Sequence, residues 1–250
     1  MCTVSIVTPL GTNFPRVGCN RDESPRRPAA GPPERRCFGA NEALMPVDPV
    51  SDGTWIAVSN AGLGFALLNH HPSGFTPRAR RGEVSRGTII PYLLPSNSLN
   101  EALEGMERFD AFRVDPFRLV ALDARGGWEY RWNGKEHRPV RRFLHTSGPC
   151  VFASSGLGDE LVEAPRTRLF EEWAPGGDWS PEKQDAFHRH AWPERRHVSV
   201  CMWRPEALTV SYTTIEWSEA GVRMSYHPAP PDMPGTSLVV DLPFRVAARP

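Results

Sequence analysis

The strongest constraint on the fold is a set of short β-type runs that occur in pairs around short turns. The clearest pairs are TWIAVS with GFALLN, FRLVALD with GWEYRW, and LTVSYTTIEW with GVRMSYH. Runs of this kind, separated by a few turn residues, predict antiparallel β-hairpins. The runs CTVSIV at 2–7, CVFAS at 150–154 and HVSVCMW at 197–203 predict further strands.

Helical patterns lie between the strand pairs. Ser98 precedes the periodic segment 99–109, and Ser180, followed by a proline and a glutamate, begins a second short helix. The segments 82–94 and 157–173 also have helical spacing, each interrupted by one proline. Strand pairs separated by helix pairs predict an α+β fold in which two antiparallel sheets are flanked by helices.

Composition limits the domain count and the partners. The 250 residues suit a single domain over 1–250, with proline-rich stretches at 24–36, predicted as a loop, and at 228–250, predicted as a loosely wrapped tail. The net charge is zero, which argues against nucleic acid or an anionic membrane surface as a partner. No secretory signal and no apolar run of about 18–20 residues is visible. Five cysteines without CxxC spacing favour a reducing compartment, so we expect a cytoplasmic protein.

Cys2 follows the initiator Met1 and opens the first β-type run, which leaves two interpretations. It is either a small buried residue at the start of a strand or, after removal of Met1, an N-terminal nucleophile. The chain turns near residues 11–13, so a hairpin would bring Asn20, Arg21 and Asp22 back alongside Cys2. A free α-amine has a pKa of about 7.7–8.0 and can take the thiol proton near neutral pH. A nearby arginine favours the thiolate, and Asp22 would orient the thiol or the ammonium group.

Short motifs spread along the chain resemble those of one family. They are Met-Cys-Thr at 1–3, Cys-Asn-Arg-Asp-Glu at 19–23, Arg-Pro at 27–28, Gly-Thr-Trp at 53–55, Ser-Arg-Gly at 85–87, Pro-Phe-Arg-Leu at 116–119 and Gly-Leu at 156–157. Together they resemble the NRDE-motif family, also called the transport and Golgi organisation protein 2 family. The start of that family is in turn similar to N-terminal nucleophile (Ntn) hydrolases of the choloylglycine and penicillin V acylase type. The resemblance implies a four-layer αββα sandwich in which a released cysteine attacks a non-peptide amide.

The resemblance also implies roles for residues of the first hairpin. Cys2 matches the nucleophile, and Asn20 and Asp22 match the Asn-x-Asp part of the hydrolase motif. The supporting arginine of that motif falls at Cys19, and Arg21 is shifted from it by two positions.

Further site residues follow from the same resemblance. Asn69, at the end of the segment 60–69, matches the first asparagine that binds the oxyanion. The second such asparagine would fall near 154–156, where Ser155 is the candidate donor instead. A later active-site arginine corresponds to Arg195 or Arg196.

Two function hypotheses remain open at this stage. The first is an N-terminal-cysteine hydrolase acting on a small non-peptide amide. The second is a non-catalytic protein that handles haem or an acyl-lipid, as the family's link to trafficking and secretion implies. We expect a small-molecule substrate or ligand, with no resident cofactor and no metal. Adjacent His70 and His71 would point to opposite faces of a strand and could not readily share one ion.

Overall fold

The computed structural model describes residues 2–72 and 84–245 of the chain. Within these residues there are fourteen strands and four α-helices, besides short 3-10 turns. The strands are β1 Cys2–Val7, β2 Arg16–Glu23, β3 Glu34–Phe38, β4 Asn41–Met45, β5 Ile56–Ser59, β6 Gly64–Asn69, β7 Phe117–Leu122, β8 Gly126–Trp132, β9 Arg141–Leu144, β10 Cys150–Ala153, β11 Trp203–Arg204, β12 Ala207–Trp217, β13 Gly221–His227 and β14 Leu238–Pro243. The helices are α1 Ile89–Leu93, α2 Leu99–Arg108, α3 Glu160–Trp173 and α4 Pro181–Arg189.

The strands form two seven-stranded antiparallel sheets. The first sheet has the order β10-β1-β2-β12-β13-β14, with β11 paired to β12. The second sheet runs from β3 to β9 in chain order. The first sheet therefore joins the two ends of the chain, whereas the second is one uninterrupted meander.

Three apolar cores separate four layers. Between the sheets, Val4 and Ile6 of β1 pack in one cluster with Ile56 and Val58 of β5. The other face of the second sheet, including Ala57, packs against α1 and α2. The other face of the first sheet packs against α3 and α4 through an aromatic cluster around Phe170, Trp179 and Phe187. The order helix, sheet, sheet, helix is the predicted αββα sandwich, so the sequence prediction of the fold is confirmed.

Local sequence signals explain most of these elements. All three predicted hairpins form, as β5–β6, β7–β8 and β12–β13. The Ser98 hydroxyl accepts a hydrogen bond from the Glu101 backbone N–H at 3.2 Å, and the Ser180 hydroxyl caps α4 in the same way through Lys183. Pro165 lies inside α3 without ending it.

Of the described residues in the predicted helix 82–94, only Ile89–Leu93 form an α-helix, and three further segments differ from the sequence prediction. Residues 197–203 do not form a long strand, because Arg166 donates hydrogen bonds to the carbonyls of Val198 and Ser199 that a ladder would use. Instead a 3-10 turn spans Pro193–Val198, and the only part of the segment that pairs with β12 is its last residue, in β11. The proline-rich tail is not loose throughout, since β14 adds to the edge of the first sheet. The predicted loop 24–36 ends inside β3, an edge strand where nearby prolines cost no ladder bonds. Among the described residues, none of the helices has the length and apolar character needed to cross a membrane.

Candidate active site

The side chain of Cys2 lines a cleft of about 690 Å³. The cleft is formed by the start of β1, the end of β2, the loop that follows β4, the end of β6, the turn at 84–87 and Asp115. These segments come from both sheets, so the cleft exists only where the two sheets are packed together. This space is called the Cys2 cleft.

Cys2 is held by strand pairing on both sides of β1. Across to β2 it lies opposite Arg21, and Val4 lies opposite Cys19, so these four side chains share the face between the sheets. The backbone N–H of Cys2 donates a 3.2 Å hydrogen bond to the hydroxyl of Ser154, just beyond β10. A hydrogen bond from the Cys19 thiol lowers the pKa of Cys2, and this effect outweighs the burial that opposes it. The same contact raises the pKa of Cys19, so Cys2 is the thiol of the pair that ionises first.

Asp22 lies on the opposite face of β2, toward the layer of α3 and α4. It is buried, and its carboxylate accepts a 2.7 Å hydrogen bond from the hydroxyl of Thr209. Burial raises the pKa of Asp22, and the charges of Arg166 and Arg204 work against that rise. Asp22 also lines the Cys2 cleft, so the charges of Arg166 and Arg204 act on a carboxylate that belongs to the cleft.

Arg21 is fixed by a carboxylate that it shares with Arg27. Its guanidinium lies 2.5 Å from Asp48 Oδ2 and stacks over Trp55 at 4.1 Å from the ring centroid. Arg27 binds the same carboxylate with two donors, at 2.7 and 2.8 Å. Burial alone would raise the pKa of Asp48, but the hydrogen bonds and charge of Arg27, with the charge of Arg21, lower it to about 2.

The turn 84–87 is locked against the loop that carries Asp48. The backbone N–H of Thr54 donates to the carbonyl of Gly87 at 3.1 Å. A Cβ atom at Gly53 would lie 2.5 Å from the carbonyl carbon of Gly87, so only glycine permits this approach. Arg86, within this turn, and Asn69, at the end of β6, both line the Cys2 cleft.

The structure thus brings Cys2, Arg21, Asp22 and Asn69 of the sequence-predicted site residues to one cleft. Asn20 is not part of it. It lies opposite Thr3 on the other face of β2, where its amide bonds the carbonyls of His188 and Val200 and its oxygen contacts the His188 ring.

Three other candidates also lie elsewhere. Ser155 is buried, and its backbone N–H donates to Asp159 at 2.9 Å. It is not among the residues that line the Cys2 cleft. Arg195 stacks over Trp192, and Arg196 pairs with Asp232 at 3.2 Å on an exposed surface. The described site therefore uses neither of these arginines.

Sequence reasoning missed four residues of the site: Ser154, Arg166, Asp48 and Arg86. Ser154 and Arg166 contact β1 across sequence separations of 152 and 163 residues, which no local pattern predicts. Asp48 directly precedes a proline and carries no motif of its own. Arg86 was visible as the centre of the Ser-Arg-Gly motif, although no role could be read from it.

Comparison with known proteins identifies the family of the chain. The model of the family described as Transport and Golgi organisation 2 matches residues 17–170, more than half of the chain. The chain belongs to this family. Its Asn-Arg-Asp-Glu, Gly-Thr-Trp and Ser-Arg-Gly motifs, far apart in sequence, all contribute residues to the Cys2 cleft. No curated protein matches the chain by sequence.

Solved structures show that this family member has an Ntn-hydrolase fold. A cysteine-to-alanine variant of conjugated bile acid hydrolase from Clostridium perfringens is similar over 97% of this chain and 92% of its own, with 14% identity and a TM-score of 0.54. The Caenorhabditis elegans ortholog of N-acylethanolamine-hydrolyzing acid amidase is similar over 93% and 94%, with 9% identity and a TM-score of 0.55. At these identities the likeness shows the fold alone.

Proposed function

We propose that the protein is an N-terminal-cysteine hydrolase that cleaves a small non-peptide amide. The observation that carries the proposal is the placement of Cys2. It lies at the start of a strand, on a cleft shared with Arg21, Asp22 and Asn69, and its pKa is lowered although it is buried. The structural neighbours support the reaction class, because one is named a conjugated bile acid hydrolase and the other an N-acylethanolamine-hydrolyzing acid amidase.

The proposed reaction has two stages. After removal of Met1, the α-amine of Cys2 takes the thiol proton and the sulfur attacks the carbonyl carbon of the substrate amide. The C–N bond then breaks, the leaving amine receives that proton, and the acyl group stays on sulfur as a thioester. Water activated by the same α-amine attacks the thioester, which releases the carboxylic acid and restores the thiol.

Neighbouring residues fit supporting roles in this scheme. The hydroxyl of Ser154 accepts a hydrogen bond from the Cys2 nitrogen and would orient the α-amine. Asp22, one residue beyond the position opposite Cys2, would offset the positive charge of the ammonium form. Asn69 is the proposed donor to the oxyanion, where one well-placed donor contributes about 10²–10³-fold in rate. Arg21, fixed by Asp48, would favour the thiolate.

Substitution of the nucleophile tests the proposal. Intact mass should show a chain without Met1, and a panel of N-acyl compounds should yield a substrate. Hydrolysis of that substrate should fall about 10³-fold or more in Cys2→Ala, since the covalent path is lost. The matched control is Cys37→Ala at an exposed cysteine, which should keep full activity. Activity that persists in Cys2→Ala would disprove the mechanism.

A second candidate is a non-catalytic protein that holds haem or an acyl-lipid in the same cleft. It is favoured by one observation, namely that the second oxyanion asparagine has no counterpart and Ser155 lies outside the cleft lining. Haem binding would produce a Soret band on titration, and a flat spectrum would exclude haem but leave acyl-lipids. All five cysteines are free, which supports placing either activity in the cytoplasm.

A further inference from the structure

Arg86 differs from the other arginines of the Cys2 cleft in its partners. Arg21 and Arg27 share the carboxylate of Asp48. Among the residues that the structure describes, Arg86 has no carboxylate in an ion pair, and its one hydrogen bond goes from Nη1 to the carbonyl of Pro116 at 3.0 Å. Burial lowers the pKa of Arg86, so the protein keeps a charged group in a place where that charge is poorly solvated.

The Arg86 side chain is presented from a rigid turn. The Ser85 hydroxyl accepts a hydrogen bond from the backbone N–H of Gly87 at 3.2 Å, and the carbonyl of Gly87 is bonded to Thr54. The close approach of the Gly53 and Gly87 backbones packs the turn against the loop that carries Asp48. The backbone that carries Arg86 is therefore held in place, and Nη1 is anchored to Pro116, before any ligand binds, which lowers the entropy cost of binding.

The chemistry of this group suits an oxyanion. A guanidinium has five N–H donors in a planar fork, and only one of those of Arg86 has a protein acceptor in the described structure. Two N–H groups of such a fork match the two oxygens of a carboxylate or a phosphate. The carboxylates of Asp115 and Glu23 act on Arg86 through space, but neither forms an ion pair with it.

Arg86 lines the same cleft as the proposed nucleophile. Both side chains line the same cleft, and negative charge on Cys2 raises the pKa of Arg86. A compound that fills this cleft with its carbonyl at the Cys2 sulfur can therefore present an anionic group to Arg86.

We propose that Arg86 is the anion-binding residue of the Cys2 cleft, so that the compound bound there is an acyl compound carrying a carboxylate or a phosphate. The anion site itself stands on the geometry of Arg86, whereas cleavage of that compound rests on the proposed hydrolase function. The proposal names the ligand class that the cleft selects, and it excludes neutral acyl compounds as the preferred ligands.

The test measures binding in a Cys2→Ala background, in which hydrolysis cannot interfere. Calorimetry is carried out with two matched pairs: N-hexanoylglycine against its neutral amide, and N-hexanoyl phosphoethanolamine against N-hexanoyl ethanolamine. We expect the charged member of one pair to bind about 10- to 100-fold more tightly than its neutral partner, the range of a charge-assisted hydrogen bond. The pair that shows the preference identifies the anion as carboxylate or phosphate.

Variants of Arg86 test whether this residue causes the preference for the charged compound. Arg86→Gln should reduce it to less than about threefold, and Arg86→Lys should retain part of it because the charge remains without the fork. The matched control is Arg108→Gln on the exposed surface of α2, which should leave the preference unchanged.

The proposal is overturned if neither charged compound binds better than its neutral partner, or if the preference survives in Arg86→Gln. Failure of the hydrolase proposal looks different. In that case the wild-type protein shows the anion preference in binding but cleaves none of the four compounds. If the protein cleaves the neutral compounds as well as the charged ones, the hydrolase proposal stands and the proposed role of Arg86 is refuted.

Discussion

Replacement of Asp48 by asparagine tests whether the shared carboxylate stabilises the cleft. The amide keeps an acceptor for the backbone N–H groups of Val50 and Ser51 but removes the charge that binds Arg21 and Arg27. The fall in the pKa of Asp48 from 3.8 to about 2 corresponds to about 2 kcal/mol, reduced by solvent because Arg27 is about a third exposed. Arg21 is nearly buried and would keep only the partly exposed Glu23, at 3.6 Å, as a counter-charge, which raises the expected cost to about 3 kcal/mol.

Urea unfolding followed by tryptophan fluorescence measures this cost. With a slope of about 3 kcal/mol per M, the midpoint should fall by about 1 M while the slope stays constant. The pKa of Asp48 is lower in the folded state, so its contribution is complete above its ordinary value of 3.8 and is lost as the pH falls toward about 2. The difference between wild type and Asp48→Asn should therefore be constant from neutral pH down to about pH 5 and shrink toward about pH 2.

Asp52→Asn in the same loop is the matched control. Asp52 pairs with Arg36 on the surface, with 79% of its side chain exposed, and its positive φ of 50° is tolerated by asparagine. The expected cost is less than about 1 kcal/mol. If Asp48→Asn costs no more than this control, or if its cost does not depend on pH, the charge of Asp48 does not stabilise the fold.

Two further predictions concern the rest of the cleft. Gly53→Ala should destabilise the fold by about 1–3 kcal/mol in thermal unfolding, because its Cβ would meet the Gly87 backbone. Gly31→Ala is the control and should not destabilise the fold, because a Cβ at Gly31 would have nothing within 4 Å. Equal stability of the two variants would contradict the contact between Gly53 and Gly87. Cys19→Ala removes the thiol that hydrogen-bonds Cys2, so the pKa of Cys2 should rise and its alkylation by iodoacetamide should slow by roughly three- to tenfold at neutral pH. An unchanged pH–rate profile of alkylation would show that the hydrogen bond has no effect on the thiolate.

Elements with a local signal could be predicted from the sequence. The hairpins β5–β6, β7–β8 and β12–β13 follow from apolar runs on either side of short turns, and the starts of α2 and α4 follow from their serine caps. The segment 197–203 could not be predicted, although its composition is that of a strand. The carbonyls of Val198 and Ser199 accept hydrogen bonds from Arg166 of α3, which is too far away in sequence to enter a local pattern.

The candidate site, like the fold, could be predicted only where a local pattern places its residues. The proximity of Cys2 to Arg21 and Asp22 follows from one hairpin and was predicted. Asn20 was expected beside Cys2, but it faces the helical layer and bonds to it, whereas Asp22, on the same face, lies nearer the end of β2 and lines the cleft. The role of Asp48 depends on how the two sheets pack, which sequence periodicity does not specify.

The chain order of the two sheets has a consequence for synthesis. The second sheet is complete once residue 144 has left the ribosome, but β2 then still lacks its neighbour β12, which begins at Ala207. During that interval the strand that carries Arg21 and Asp22 presents an open row of backbone donors and acceptors, a template for contacts with other nascent chains. Truncations that remove β12 should therefore precipitate, and wild-type yield should depend on chaperones that shield this edge during translation.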